Sequence, residues 1–463
     1  MPKSVQNVAW VPAIKRSDGP LYQAIARAIG EDIEAGVLQP GQRLPPQRIL
    51  AEALGVDFTT ISRAYSAAGR NGLVEGRVGQ GTYVKAADPV FDGGQMRGRD
   101  QNVDLSMNMP PQIDDPALQR EMYQALGGAG GLGWLTRYQA PGGGLEDRLQ
   151  AMQWLSNKQP LENTDDLVLC NGVQGASLSS LGQITSPGDT ICCEELCYPG
   201  VLTLAKQMNL NVVPVTIDDQ GPIPDVLDEI CKRENPKALY VTPTLHNPTT
   251  VTMPEKRRQA LAKVIERNDL PTIEDDAYGV VVSSAPAPLA CFAPAQTWYL
   301  ASLSKCLAPA LRVCLVLPPA GTSSEGFKRS IRANGSLVSP ISATLASHWM
   351  STNLADDIIA AIRKETRKRQ DIFATWLPSV ALKDDAFHIW LPLPSELSAM
   401  QLVLSLRATD LGIVPAQVFA PLDAPNAVRI ALGSSETLGS FEAALKTLAD
   451  VMAHPQDTSW MVV

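Results

Sequence analysis

A chain of 463 residues that is 45% hydrophobic and 19% charged has material for two or three globular domains and a sizeable core. The first 30 residues lack the unbroken apolar run of a signal sequence, and no stretch approaches the roughly 18 apolar residues of a membrane span. A cytoplasmic protein with no membrane partner is expected. Eight scattered cysteines without a C-x-x-C pair, and only four histidines, argue against a metal cluster or a disulfide framework, so no metal is expected. The net charge of −9 argues against nucleic acid until its distribution is read: residues 1–87 carry +3 and the remainder −12. Such asymmetry suggests a nucleic-acid-binding module joined to something else.

In chain order, Leu21, Ile25, Ile29 and Ile33, with Ala24 and Ala28 between them, make one apolar helical face that ends at Gly36. After a Pro/Gly turn comes a short helix, Gln47 to Leu54, broken by Gly55. A third helix runs from about Thr59 to Arg70, with Ile61, Ala64, Tyr65 and Ala68 inward and Thr59, Thr60, Ser62 and Arg63 outward. Two short helices around a glycine turn form a helix-turn-helix, whose second helix enters the major groove by its N-terminal residues. Leu73 to Val84 reads as a two-stranded ribbon with a glycine-rich tip able to approach a phosphate closely. Together these make a winged helix over residues 1–85, followed by a Gly/Asp-rich linker over 86–102.

The winged helix resembles the GntR family of bacterial regulators. The resemblance rests on L-P-x-x-R at Leu44 to Arg48, L-G-V at Leu54 to Val56, A-Y at Ala64 and Tyr65, and G-x-G-T at Gly79 to Thr82. It implies binding to a double-stranded DNA operator, with Arg48, Thr59, Thr60 and Gly81 on contacting positions and Arg63 and Arg77 adding charge. Phe58 departs from the pattern, because family members often carry arginine there. That leaves open whether Arg63 replaces a lost contact.

From residue 103 onward, short apolar runs alternate with helical patterns: 167–170, 190–193, 212–215, 238–241, 272–274, 298–301 and 313–317. The alternation predicts an α/β body around a mostly parallel sheet, with ligands beyond the carboxyl ends of the strands. At the end of one such strand stands Ser302-Leu-Ser304-Lys305, with Arg312 seven positions after the lysine. A lysine desolvated there favours the neutral amine that an imine needs, and two hydroxyls with a guanidinium suit a phosphate. A phosphorylated aldehyde with these needs is pyridoxal 5'-phosphate (PLP). Gly172, Val173 and Gln174 open a helix and offer backbone donors to an anion. Tyr198 could stack on a pyridine ring, or be core. Asn247 and Tyr278 could bond a phenolate oxygen, Asp275 a ring nitrogen, and Arg429 an amino-acid carboxylate. Asp276 points the other way if the strand continues.

N-P, D-x-x-Y, S-x-S-K and a late arginine, in that order, resemble fold-type-I PLP-dependent aminotransferases, with large and small domains over residues 103–463. The resemblance implies a homodimer in which Tyr138 reaches the partner's phosphate. Val173 replaces a hydroxyl residue common in relatives, which implies slightly weaker cofactor binding. With the head in front, the chain resembles MocR-type regulators, in which such a body senses an amine, an amino acid or PLP itself through aldimine chemistry at Lys305. A transaminase with an incidental DNA-binding head is the rival expectation, because sensing and catalysis need the same groups.

Overall fold

The computed structural model describes residues 10–13, 20–34, 37–39, 41–70, 73–77, 81–84, 103–128, 138–161 and 166–454. The chain divides into two compact units, 1–92 and 93–463.

In the first unit, α1 (Leu21–Glu34), α2 (Gln47–Leu54) and α3 (Phe58–Arg70) pack around Ile25, Ile29, Leu50, Ile61, Ala64 and Tyr65. Each large aliphatic side chain buried there contributes about 1.5–3 kcal/mol. The Tyr65 hydroxyl donates to the Pro45 carbonyl at 2.8 Å, which ties α3 to the segment before α2. Asp57 caps α3, its Oδ1 accepting from the backbone N–H of Thr59 at 2.8 Å and from the Thr59 hydroxyl at 2.5 Å. These bonds hold the Asp57 carboxyl below the usual carboxylate range. Strands β1 (Val74–Arg77) and β2 (Gly81–Val84) form the antiparallel wing, with Arg77 opposite Gly81.

The second unit opens with α4 (Pro116–Gly128) and α5 (Leu145–Lys158). Then follow β3 (Val168–Asn171), α6 (Gly172–Ile184), β4 (Thr190–Glu194), α7 (Pro199–Gln207) and β5 (Asn211–Val215). A minimal hairpin, β6 (Ile217–Asp218) and β7 (Gly221–Pro222), leads to α8 (Pro224–Glu234), β8 (Ala238–Val241), α9 (Glu255–Arg267) and β9 (Thr272–Asp276). Strands β10 (Thr297–Ser302) and β11 (Val313–Leu317) complete a seven-stranded sheet of order β3-β11-β10-β9-β8-β4-β5. All seven predicted runs are strands of this sheet. Its pairs are parallel except those of β11, which runs antiparallel to both neighbours.

Alternate residues face opposite sides, as the pleat requires. Val168, Cys170, Ile273, Trp298, Leu300, Cys314 and Val316 pack with α6 and with α10 (Glu325–Ala333) through Leu181, Phe327 and Ile331. Leu169, Tyr299, Ala301, Val313 and Leu315 face the other way, toward Trp154 and Leu155 of α5 and Leu345 of α11 (Pro340–Ser351). Beyond α12 (Leu354–Trp376), a smaller antiparallel sheet of order β12-β14-β13 combines β12 (His388–Pro392), β13 (Val414–Pro415) and β14 (Ala427–Ala431). Helices α13 (Ala399–Arg407) and α14 (Leu438–Ala453) accompany it. Seven of the eight cysteines are buried. Among the described residues no helix is long and apolar enough to cross a membrane.

Candidate functional site

The carboxyl ends of β3, β4, β8, β9 and β10 and the amino end of β11 lie along one edge of the sheet. Asn171 and Ser302 end their strands there, Asp275 is the penultimate residue of β9, and Arg312 immediately precedes β11. Lys305 lies in the turn from β10 to β11 and donates from Nζ to the Asn108 carbonyl. Burial pulls its amine down to about 8; Arg429 and Arg312 act in the same direction, and Asp275 opposes them. Its side chain is half-buried at this edge.

Asp275 and Asp276 are adjacent and point to opposite faces. Asp276 Oδ2 accepts from the Tyr299 hydroxyl at 2.6 Å, an attachment within the core. Asp275 Oδ2 accepts from the Tyr240 hydroxyl, while its Oδ1 is buried without a hydrogen-bond partner. Burial raises the Asp275 carboxyl to about 7, against the pull of Tyr240. A buried carboxylate oxygen with no donor is costly, and a protonated ring nitrogen would satisfy it.

Gly172 opens α6 with φ +67°, and a Cβ there would fall 2.9 Å from Arg312 Nη2. The lack of a side chain thus lets the guanidinium lie against the start of the helix. The α6 N-terminus, Arg312 and the buried Ser302 and Ser304 form a cradle whose donors suit a phosphate. Val173 packs against the core rather than lining the cradle with a polar group. Gln174 donates from Nε2 to the Gly200 carbonyl at 2.9 Å, so its side chain braces the Tyr198 turn and only its backbone remains for an anion.

Arg429 occupies the central strand of the small sheet, opposite both Trp390 and Val414. Its Nη1 donates to Asn247 Oδ1 at 2.9 Å, its Nη2 to the Ser106 carbonyl, and its guanidinium stands 5.1 Å over the Phe419 ring. Burial lowers it to about 10, so it stays charged at neutral pH. With Asn247 Oδ1 engaged, the amide nitrogen of Asn247 remains to donate. Tyr278 is buried, and its oxygen accepts from Asn108 Nδ2 at 2.8 Å, which leaves its own proton for another acceptor. Tyr198 is half-buried at the end of the loop after β4. Tyr138 is fully exposed and joins none of these groups within the chain.

On the head, Arg48, Thr59 and Arg63 are exposed and Thr60 is half-buried. Thr59 has its proton committed to Asp57, so it can only accept from a further group. Arg63 lies 4.3 Å over the Tyr22 ring, and Arg48 lies 5.9 Å from the centroid of Phe58. Gly81 has φ +115°, and a Cβ there would sit 2.9 Å from Arg43 Nε, so the glycine lets Arg43 cross the wing. The side chain of Arg77, Gly79 at the wing tip, and the linker lie outside the described residues.

The gntR family of bacterial regulatory proteins matches residues 21–84, and the aminotransferase class I and II family matches residues 101–445. The HTH-type transcriptional regulator YdeF of Bacillus subtilis is 30% identical over 367 residues, covering 79% of each chain. The probable rhizopine catabolism regulatory protein MocR of Rhizobium meliloti is 24% identical, covering 77% of each. The chain is a MocR-type, GntR-family transcriptional regulator. The body's fold is that of the α-aminoadipate aminotransferase LysN from Thermus thermophilus, with a TM-score of 0.67 at 19% identity over 78% of this chain and 96% of that one.

Three parts of this MocR-type regulator's site escaped the sequence reading. Asn108 contacts both Lys305 and Tyr278, and Ser106 reaches Arg429, yet both come from an irregular strap with no periodicity. Tyr240 shares a sheet face with Asp275, which the parity of its strand could have indicated. His388 lies 5.5 Å from Tyr278, and its Nε2 faces the His246 carbonyl at 3.2 Å, so that nitrogen carries the proton. Burial, with Arg429 nearby, pushes it down to about 3 and keeps it neutral.

Proposed function

We propose that this regulator binds a double-stranded operator as a homodimer and that its body holds PLP on Lys305, sensing an amine, an amino acid or PLP itself. The observation carrying this reading is the buried, unpartnered Asp275 Oδ1 on the same sheet edge as a lysine whose neutral form is favoured. When bound, PLP supplies a carbonyl that condenses with amines and a ring that withdraws electrons. Lys305 would provide the amine, and Asp275 would keep the proton on the ring nitrogen. Asn247 and Tyr278 would donate to the ring oxygen, and Tyr198 would stack on the ring. The α6 N-terminus at Gly172, Val173 and Gln174, with Ser302, Ser304 and Arg312, would hold the phosphate. Arg429 would take the carboxylate of an amino-acid ligand.

The homodimer is supported by apolar surface on the body: Leu145 and Leu149 of α5, Leu337 just before α11 and Ile341 within it are all exposed. Tyr138, exposed in one chain, would then reach the partner's phosphate. On the head, Arg48, Thr59, Thr60, Arg63, Arg77 and Gly81 would face DNA.

The test compares wild type with Lys305→Ala, both purified with PLP. Wild type should show a visible absorption band, and borohydride should fix the cofactor to the Lys305 peptide. Footprinting upstream of its own gene should show a protected site whose occupancy responds to ligand in wild type only. An unchanged band and unchanged labelling in Lys305→Ala would remove the lysine from the role. A second reading, transamination, is favoured by the presence of lysine, aspartate and arginine in one site. Steady-state turnover with amino acids and an oxo-acid acceptor near the ordinary range of roughly 1 to 1000 per second would support an enzyme.

A further inference from the structure

Phe58 begins α3 and is 44% exposed. Among the described residues of the head it is the one exposed aromatic: Trp10 and Tyr65 are buried, and Tyr22 and Tyr83 are half-buried. It belongs to neither the apolar core of the head nor the set of side chains packed against that core. Packing therefore gives no reason for a phenyl ring here, and water gives a reason against one. Its surroundings are those of a DNA-facing surface, with exposed Thr59 and Arg63 on the same helix and the Arg48 guanidinium 5.9 Å from the ring centroid.

The N-terminal residues of a second helix in a helix-turn-helix meet base edges in the major groove. There a phenyl ring can satisfy no donor or acceptor, but one apolar group is available to it, the C5-methyl of thymine. Cytosine presents no methyl and would leave the ring against a polar edge. Arg48 on the ring lies where a guanidinium can hold the phenyl in one orientation while its own N–H groups remain free for a phosphate.

We propose that Phe58 is a specificity-determining residue of the head and reads the methyl group of one thymine in each operator half-site. The inference rests on the DNA-binding reading of the head and adds the base that is read. At a position where family members often carry arginine, Phe58 exchanges a guanidinium for an apolar contact that prefers one base.

The experiment uses the full-length protein with PLP and a duplex pool of random sequence. After selection, each thymine of the enriched half-sites is replaced in turn by deoxyuridine, which keeps the pairing and deletes only the methyl. At one thymine per half-site, uracil should weaken binding about fourfold, and about fifteenfold when both half-sites are changed, the loss expected for one buried carbon each. Phe58→Ala should bind thymine and uracil duplexes equally, Phe58→Leu should keep part of the difference, and circular dichroism should match wild type for both. Phe58→Arg, whose guanidinium seeks guanine O6 and N7 rather than a methyl group, should lose the preference for thymine over uracil. The assignment is overturned if wild type tolerates uracil at every thymine, or if Phe58→Ala keeps the preference. Failure to enrich any sequence from the pool would instead overturn the DNA-binding reading, and the Phe58 assignment with it.

Discussion

If Lys305 titrates near 8, its reactivity should follow pH differently from that of every exposed lysine in the chain. At pH 7 about a tenth of such an amine is neutral and at pH 9 about nine-tenths, so its reaction with an acylating reagent should rise roughly tenfold and then level. An ordinary lysine near 10.5 should rise roughly a hundredfold over the same interval and continue upward. Competitive labelling of the cofactor-free protein with acetic anhydride, read peptide by peptide by mass spectrometry, gives both curves in one tube. The causes of the depression make two secondary predictions. Burial is the largest and Arg429 comes next, so Arg429→Gln should move the midpoint upward; Asp275 opposes, so Asp275→Asn should move it downward. A Lys305 curve still climbing tenfold per pH unit at 9 would refute the claim that this edge desolvates the amine. A midpoint indifferent to both substitutions would refute the assignment of causes.

Two further outcomes follow from the same geometry. Arg429→Ala should weaken the spectral response to α-amino acids roughly tenfold to hundredfold while leaving the cofactor band intact, since a charge-assisted pair contributes about 1.5–3 kcal/mol. Arg429→Lys, which keeps the charge and loses the fork, should fall between, and an unchanged response to every carboxylate ligand would remove the role. Arg48→Ala should make the salt dependence of DNA binding by a dimer shallower by about two units, the contribution of one phosphate per head. An unchanged slope in a salt titration would show that Arg48 holds no phosphate.

The strands of the large sheet were legible because both of its faces are covered, so each appears as a short unbroken apolar run. The direction of β11 was not read, although its signal was present: only residues 303–312 separate it from β10, too few for the crossover that a parallel neighbour needs. Strand parity separated Asp275, the first residue of D-x-x-Y, from Asp276, and the two carboxylates do face opposite sides, toward Tyr240 and Tyr299. The head's motifs were legible for a different reason: several are structural, like Tyr65 holding the Pro45 carbonyl, and constrain residue type from inside the fold.

Part of what stayed hidden acts through groups that every residue carries. Ser106 and Asn108 reach Arg429 and Lys305 by backbone carbonyls, so no residue type at those positions announces the contact. Their strap is held from outside the site, with the Leu105 carbonyl accepting from the backbone N–H of Ala431 at 2.8 Å and Asp104 bridged to Gly412. The two charged groups most concerned with a ligand, a lysine from the large sheet and an arginine from the small one, are therefore bonded to carbonyls only two residues apart. A movement of the small sheet that carries Arg429 and Ala431 must pull on the same few residues that touch Lys305.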